Sequence, residues 1–290
     1  MLTKLTLPSP AKLNLFLHIN GRLENGYHEL QTLFHFLNYG DELSFELIKE
    51  QNIVLNCNLK ELENDDNLII QAARRLQEYL PAEFPYQGVK IDLHKILPMG
   101  GGVGGGSSNA ATTLLALNML WQLNIEQQKL EQLGNQLGAD VPIFVNGHSS
   151  IAEGTGDRLL PTQVSEKWYL VLTPKCHVNT ALLFSSDNLT RNTPKLKNDD
   201  LRYTGLIDNF HNDFQPLVYK NYPAVAKALD WLLEYAPARL TGTGACVFAE
   251  FKTREQAQEI YHLLPVELSG FIAKGNNISM THKKLNELKS

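Results

Sequence analysis

The chain has 290 residues, 43% of them apolar and 20% charged, with a net charge of −5. That is ordinary globular composition, with material for two domains or one large one. The acidic balance argues against non-specific nucleic-acid binding, which needs an excess of Lys and Arg on one face.

The amino terminus, MLTKLTLPSPAKLNLFLHI, alternates like a strand, with Leu13, Leu15, Leu17 and Ile19 on one side. It lacks the apolar block and cleavage site of a signal peptide and reads as no transit peptide. No run elsewhere approaches the ~18 apolar residues of a membrane span. A cytoplasmic location of bacterial type is expected. Cys57, Cys176 and Cys246 are isolated in sequence, with no C-x-x-C pair or Cys/His cluster. They indicate neither a disulfide framework nor a structural metal, and read as small buried hydrophobes in a reducing compartment.

Further strands are expected at Leu33–Leu37, Glu42–Ile48, Ile53–Cys57 and Val89–His94. DNLIIQAARRLQEYL sets Leu68, Ile69, Ala72, Leu76 and Leu80 on one helical face, with Asp65 or Asp66 as its cap. Leu97 closes a strand ahead of a run of glycines, after which Ser107–Leu123 and Glu126–Leu137 read as helices. SSIAEGTGDRL reads as a strand and a tight turn, and KWYLVLTP as a buried strand. A helix at Ala224–Tyr235, a strand at ACVFAEF, a helix at Arg254–Leu264 and a short strand at GFIAKG complete the chain. The polar stretch TRNTPKLKNDDLRYTG (190–205) reads as a long surface loop, and Lys283, Lys284 and Lys289 as a solvated helix face. The class is α/β (α+β) without internal repeats. The break falls between Gly154 and Val164, dividing 1–157 from 158–290.

LPMGGGVGGGSSNAATTLLAL concentrates six glycines in seven positions directly before a helix. Each glycine costs roughly 0.5–1 kcal/mol relative to alanine inside regular structure. A use that repays this is an anion site: backbone N–H groups of the turn and of the helix start, capped by Ser107 or Ser108, converge where side chains would block a phosphate. A flexible linker is the bland alternative, but linkers rarely join a strand to a capped helix. No lysine follows the glycines, so this is not a Walker A loop. Gly100, Gly102 and Gly105 match a dinucleotide fingerprint formally. The following unit is a second helix headed by Glu126, where that fold needs a strand ending in an acid.

PSPAKLNLFL (Pro8–Leu17) places Lys12 and Asn14 on one side of the first strand. RLTGTGACVFAEF holds another glycine turn near the carboxyl end. With PMGGGVGGGSSNAA between them, these segments resemble the GHMP kinase superfamily. Its phosphate loop reads P-x-x-x-G-L-G-S-S; here Val103 replaces the leucine and an extra glycine precedes Ser107. Adding GYHELQTLF and LGADVPIFV, the segments from Pro8 to about Gly275 are similar to one branch of that superfamily. That branch phosphorylates the 2-hydroxyl of 4-diphosphocytidyl-2-C-methyl-D-erythritol in the non-mevalonate route to isoprenoid precursors. The resemblance implies a two-domain fold, with ATP phosphates held by the glycine loop at a helix N-terminus between the domains.

On the residues alone, Asp140 reads as a helix cap or turn residue and Lys12 as a solvent-facing strand lysine. The resemblance implies instead that Lys12 and Asp140 are the catalytic pair, the carboxylate taking the hydroxyl proton. It implies an ATP-binding segment of Pro98, Met99, Gly100, Gly101, Gly102, Val103, Gly104, Gly105, Gly106, Ser107 and Ser108. Substrate contacts are implied at Asn14, Tyr27, His28, Phe34, Lys95, Thr180 and Phe184, with Tyr27 stacking on cytosine and His28 reading its edge. The Gly242–Gly244 turn is expected to close on the phosphate region. Mg²⁺ is expected with ATP. Ser107 or Ser108 can supply a ligand, but the glutamate that many relatives use has no evident counterpart, so the metal ligands are unassigned. The implied partner is a small-molecule substrate, with no nucleic acid, membrane or obligate protein partner indicated. Two other readings stay open: a kinase for another small alcohol such as homoserine or mevalonate, and a nucleotide sensor without catalysis. The first lacks GYHELQTLF; Lys12 and Asp140 argue against the second.

Overall fold

The computed structural model describes residues 2–24, 26–197 and 210–288. Its frame is a long antiparallel hairpin of β1 (Lys4–Arg22) and β2 (His28–Ile48), whose register shifts at Pro10/Lys12, Asn14/Leu17 and Ile19/Gly21. The two strands expected at Leu33–Leu37 and Glu42–Ile48 are therefore one. Residues 38–41, left between the two expected strands, run as strand, and Gly40 serves a close approach: a Cβ there would lie 2.2 Å from the Ser9 carbonyl oxygen. The glycine lets β2 run straight past the shifted register of β1.

Beside β2 lie β3 (Ile53–Cys57) and β4 (Gly88–His94); β4 runs antiparallel to β2, and β3 parallel to β4. Between them, α1 (Leu68–Gln77) is capped by the Asn67 side chain, which accepts from the Ile69 N–H at 2.9 Å. Asp65 does not cap this helix but pairs with Arg74, and Asp66 stands one residue before the cap. β4 stops at His94, short of the expected Leu97, because the next backbone N–H groups are drawn off the ladder by a side chain described below. The helix after the glycines, α2 (Gly105–Leu120), begins at Gly104 rather than at a serine and ends before Leu123. It is buried almost all round. α3 (Gln127–Leu137) and α4 (Val141–Asn146) pack beside it; α4, like α5 and α6 below, is too short to show a helical period in sequence.

β5 (Ser150–Gly154) pairs with the first half of β2, and β6 (Arg158–Pro161) folds back on β5. The turn between them contains the proposed 157/158 division. β7 (Trp168–Leu172), α5 (Thr180–Ser185), α6 (Gln215–Asn221), α7 (Pro223–Leu233), β8 (Ala238–Leu240), β9 (Val247–Phe251), α8 (Arg254–His262), β10 (Gly270–Asn276) and α9 (Met280–Glu287) follow. The second sheet runs β8-β9-β7-β10, and the end of β10 joins β2 through Gly275↔Leu37 and Asn276↔Phe36. The α/β class holds.

One apolar cluster fills the space between the first sheet and α1–α4, another lies beneath α6 and α7, and a third, with Leu13, Leu15, Phe16, Val103 and Cys246, sits between them. Cys57 and Cys246 are buried as expected, whereas Cys176 is only half-buried. Lys283 and Lys284 face solvent on α9; Lys289 lies outside the described residues. So does 198–205 of the expected loop. The described part is tied to the body: Lys195 pairs with Glu153, and the Leu196 N–H donates to Gln31.

Candidate active site

The glycine loop is shaped by contacts that only glycine tolerates. Gly102 has φ 77°, and a Cβ there would sit 2.3 Å from the Thr241 carbonyl oxygen; Gly104 has φ 76°, and its Cβ would sit 2.7 Å from the Phe144 ring. The Gly102 position is where the loop meets the Thr241–Gly244 turn, and the Cys246 N–H donates to Gly101 O at 3.0 Å. The two glycine turns are thus packed against each other, as expected. The first helical hydrogen bond of α2 runs from the Ser108 N–H to Gly104 O at 2.8 Å. The N–H groups of Gly105, Gly106 and Ser107 precede it and give the helix start its positive end. They border a cavity of about 450 Å³ lined also by Asn64, Asn67, Leu68 and Met99.

A fully buried carboxylate holds this loop. Asp41 Oδ1 accepts from the Ile96 and Leu97 N–H groups, each at 2.8 Å. Its Oδ2 accepts from Asn109 Nδ2 at 2.9 Å and from the Lys95 ammonium. Asn109 and Ser108, both on α2, also bond Ser9 on β1, each at 2.9 Å. Asp41 therefore ends β4, aims the chain into the glycines and ties the helix to the hairpin. Three neutral donors and a paired ammonium compensate a carboxylate removed from water.

A second cavity, of about 330 Å³, opens on the other side of the loop between β1, β2, α5 and the Thr241–Gly244 turn. At its inner end the Lys12 ammonium, 2% exposed, lies 3.1 Å from Asp140 Oδ2. It also donates to Asn14 Oδ1 at 2.6 Å and to Gly102 O at 2.9 Å, and stands 5.3 Å over the Phe34 ring. Asp140 occupies the position before α4 but makes no capping hydrogen bond there. Gly138 ends α3, Pro142 starts α4, and the short link between them turns the carboxylate toward Lys12. Gly102, Ser107 and Asp140 border both cavities. A group leaving one cavity for the other passes these residues.

Most of the expected site residues come together here. Pro98, Met99, Gly100, Gly101, Gly102, Gly104, Gly105, Gly106 and Ser107 line the first cavity. Val103 and Ser108 do not. Val103 is buried in the middle apolar cluster with its carbonyl accepting the Lys12 N–H, and the Ser108 hydroxyl is held by Ser9. Asn14, Phe34, Thr180 and Phe184 line the second cavity, with Thr180 Oγ1 2.9 Å from Thr243 Oγ1. Lys95 instead borders the first cavity, drawn there by Asp41. Tyr27, 66% exposed, and His28 stand outside both linings; the His28 ring reaches the second through Phe184, 5.0 Å away. Sequence reasoning missed Ser9, Asp41 and Asn109. An acid in step with the apolar positions Leu43, Phe45 and Leu47 is the signal that could have found Asp41. It also missed Asn212, whose side chain donates to Leu240 O and Gly242 O and holds the second glycine turn.

The model of the GHMP kinases N terminal domain matches residues 67–148, and that of the GHMP kinases C terminal matches 192–265. The chain belongs to the GHMP kinase family. Within it, the chain is 53% identical to a protein of Tolumonas auensis, covering 97% of this chain and 96% of that one, and 53% identical to one of Marinobacter nauticus over the full length of both. Each is named 4-diphosphocytidyl-2-C-methyl-D-erythritol kinase. A crystal structure of 4-(cytidine 5'-diphospho)-2C-methyl-D-erythritol kinase matches with a TM-score of 0.79 at 27% identity, covering 94% of this chain and 99% of that one. A mevalonate kinase matches with a TM-score of 0.68 at 17% identity, over 95% and 99%, which is a likeness of fold.

Two expectations follow from the loop. Asp41→Asn leaves the Lys95 ammonium buried without its counter-charge, so it should lower the unfolding free energy by about 3–5 kcal/mol in chemical denaturation. Gly104→Val should weaken ATP binding while the chain stays folded, since the branched side chain fits neither φ 76° nor the space before Phe144; calorimetric titration with ATP measures it.

Proposed function

We propose that the chain transfers the γ-phosphoryl group of ATP to the 2-hydroxyl of 4-diphosphocytidyl-2-C-methyl-D-erythritol. The observation that carries this reading is the Lys12–Asp140 pair at the boundary of two cavities, one at a helix N-terminus and one not. Full-length identity of about half to kinases named for this substrate supports the same choice of acceptor.

ATP enters the first cavity with its phosphates toward the N–H groups of Gly105, Gly106 and Ser107. The acceptor lies in the second, its 2-hydroxyl toward Asp140. Asp140 is partly exposed to the cavity while its partner Lys12 is sealed, an arrangement that leaves carboxylate oxygen free to take the hydroxyl proton. The Lys12 charge lies close enough to the loop, through its bond to Gly102 O, to offset charge developing on the transferred group. Mg²⁺ would neutralise ATP phosphate charge. Among the described residues no group of three or more His, Cys, Asp or Glu is assembled for a metal. That fits an ion carried mainly by phosphate oxygens and water, with few protein ligands. Ser107 and Asp140, oxygen donors bordering both cavities, are the residues that would hold it.

No helix among the described residues is long and apolar enough to cross a membrane.

Turnover of ATP should be seen with 4-diphosphocytidyl-2-C-methyl-D-erythritol and not with mevalonate or homoserine; equal turnover of all three overturns the choice of acceptor. Asp140→Asn should lower kcat by about 10²–10⁴-fold with ATP affinity retained. Lys12→Ala should do likewise, and the double variant should lose less than the product of the two, because both act on one transferring unit. A double-mutant cycle in kcat reads this directly, and independent effects would remove the pair from the mechanism.

A further inference from the structure

All three nitrogens of the Arg191 guanidinium are engaged at the outer corner of the second cavity. Nε donates to His28 Nε2 at 3.0 Å and Nη1 to Leu189 O at 3.1 Å. Nη2 donates to Phe184 O at 2.9 Å and to Ser186 O at 2.7 Å. One side chain thus holds the histidine ring and also closes the C-terminal turn of α5, the helix that carries Phe184. Phe184 is braced edge-on against Phe214 at 4.9 Å and faces His28 at 5.0 Å.

A guanidinium has five donors and no acceptor. The nitrogen it faces must present a lone pair, which leaves the proton of a neutral His28 on Nδ1. Partial burial, with Arg191 and then Arg22 nearby, holds the ring below the usual histidine range. The neutral form therefore prevails at neutral pH.

We propose that Arg191 is a positioning residue that locks His28 as its Nδ1–H tautomer beside Phe184, so that His28 offers a hydrogen-bond donor to the pyrimidine of the acceptor substrate. This rests on the reading of the second cavity given above. It assigns a direction to base selectivity. Ring nitrogen N3 of cytosine is an acceptor, whereas N3 of uracil carries a proton. A fixed Nδ1–H pairs with the first and opposes the second; an unlocked ring can present a donor to the first or an acceptor to the second and loses the distinction.

The test joins a spectroscopic and a kinetic readout on the full chain. In ¹⁵N-histidine NMR of the ligand-free protein, His28 Nε2 should show the shift of an unprotonated ring nitrogen and Nδ1 that of a protonated one. Arg191→Met should move both toward a mixed population, and Arg191→Lys, which keeps a donor, should retain most of the original pattern. The ratio of kcat/KM for the cytidine and uridine forms of the substrate should fall by roughly tenfold in Arg191→Met, the size expected when a polar pairing is lost. An unchanged tautomer in a folded Arg191→Met protein overturns the proposal, as does an unchanged ratio. Arg191→Leu, which is shorter and offers no donor, gives the same readouts if the methionine variant does not fold. His28→Ala separates this inference from the reading beneath it. A ratio kept in His28→Ala removes base reading from this corner of the cavity. A ratio lost in His28→Ala but kept in Arg191→Met removes only the role of Arg191.

Discussion

The Lys12 ammonium is held by three oxygens from separate parts of the chain: Asn14 Oδ1 on β1, Gly102 O in the glycine loop and Asp140 Oδ2 before α4. A lysine carries three donors, so this set satisfies it, and the Phe34 face beneath adds a favourable contact for the cation. An ammonium almost wholly withdrawn from water is costly unless it is paired in this way. The requirement runs in both directions. The loop must come to β1, and Asp140 must come to the loop, or a charge is left buried alone. The boundary between the two cavities is set by that constraint.

Everything around the pair keeps backbone close to backbone. The Lys12 N–H donates to Val103 O, and the register shift between Pro10 and Lys12 bends β1 toward the loop. Gly102 and Gly242 touch across the two turns, where any side chain would meet a carbonyl. Asp41 acts from below, converting the end of β4 into the entrance of the loop. The entropic cost of ordering so many glycines is offset here, because a phosphate-binding backbone needs the space that side chains would fill. The two sheets, which pair where β10 meets β2, are thereby also linked through their loops.

The acceptor side is built differently, from side chains. Thr180 and Thr243 meet across the cavity mouth, and Phe184 is held between Phe214 and His28. Tyr27 stands out in solvent at the hairpin tip, beside Asn25, which lies outside the described residues. The phosphate side is backbone set in packed helix and strand. The other side rests on a short helix and a hairpin end, where fewer buried contacts constrain the chain.

Much was legible in one dimension. Alternation marked β1, short apolar runs marked β7 and β9, the glycine run before an apolar helix marked an anion site, and the i, i+2 spacing put Lys12 and Asn14 on one side of a strand. These are local properties, decided by sterics and by the two periods of regular structure. Local signals also misled. Asn38 to Asp41 reads as a break between two strands yet runs as strand, because the carboxylate finds its donors just past β4 and on α2, more than fifty residues away in sequence. Ser107 and Ser108 read as caps, yet the helix starts before them, because the Ser108 hydroxyl bonds Ser9 on the far hairpin. Short α4, α5 and α6 carry too few turns to show a period. The sequence by itself determined which residues could bind phosphate and carry charge. Only the tertiary structure decided that Lys12 meets Asp140, that Lys95 serves Asp41 and that Arg191 grips His28, since each of these pairings joins distant segments and is chosen by what burial leaves unsatisfied.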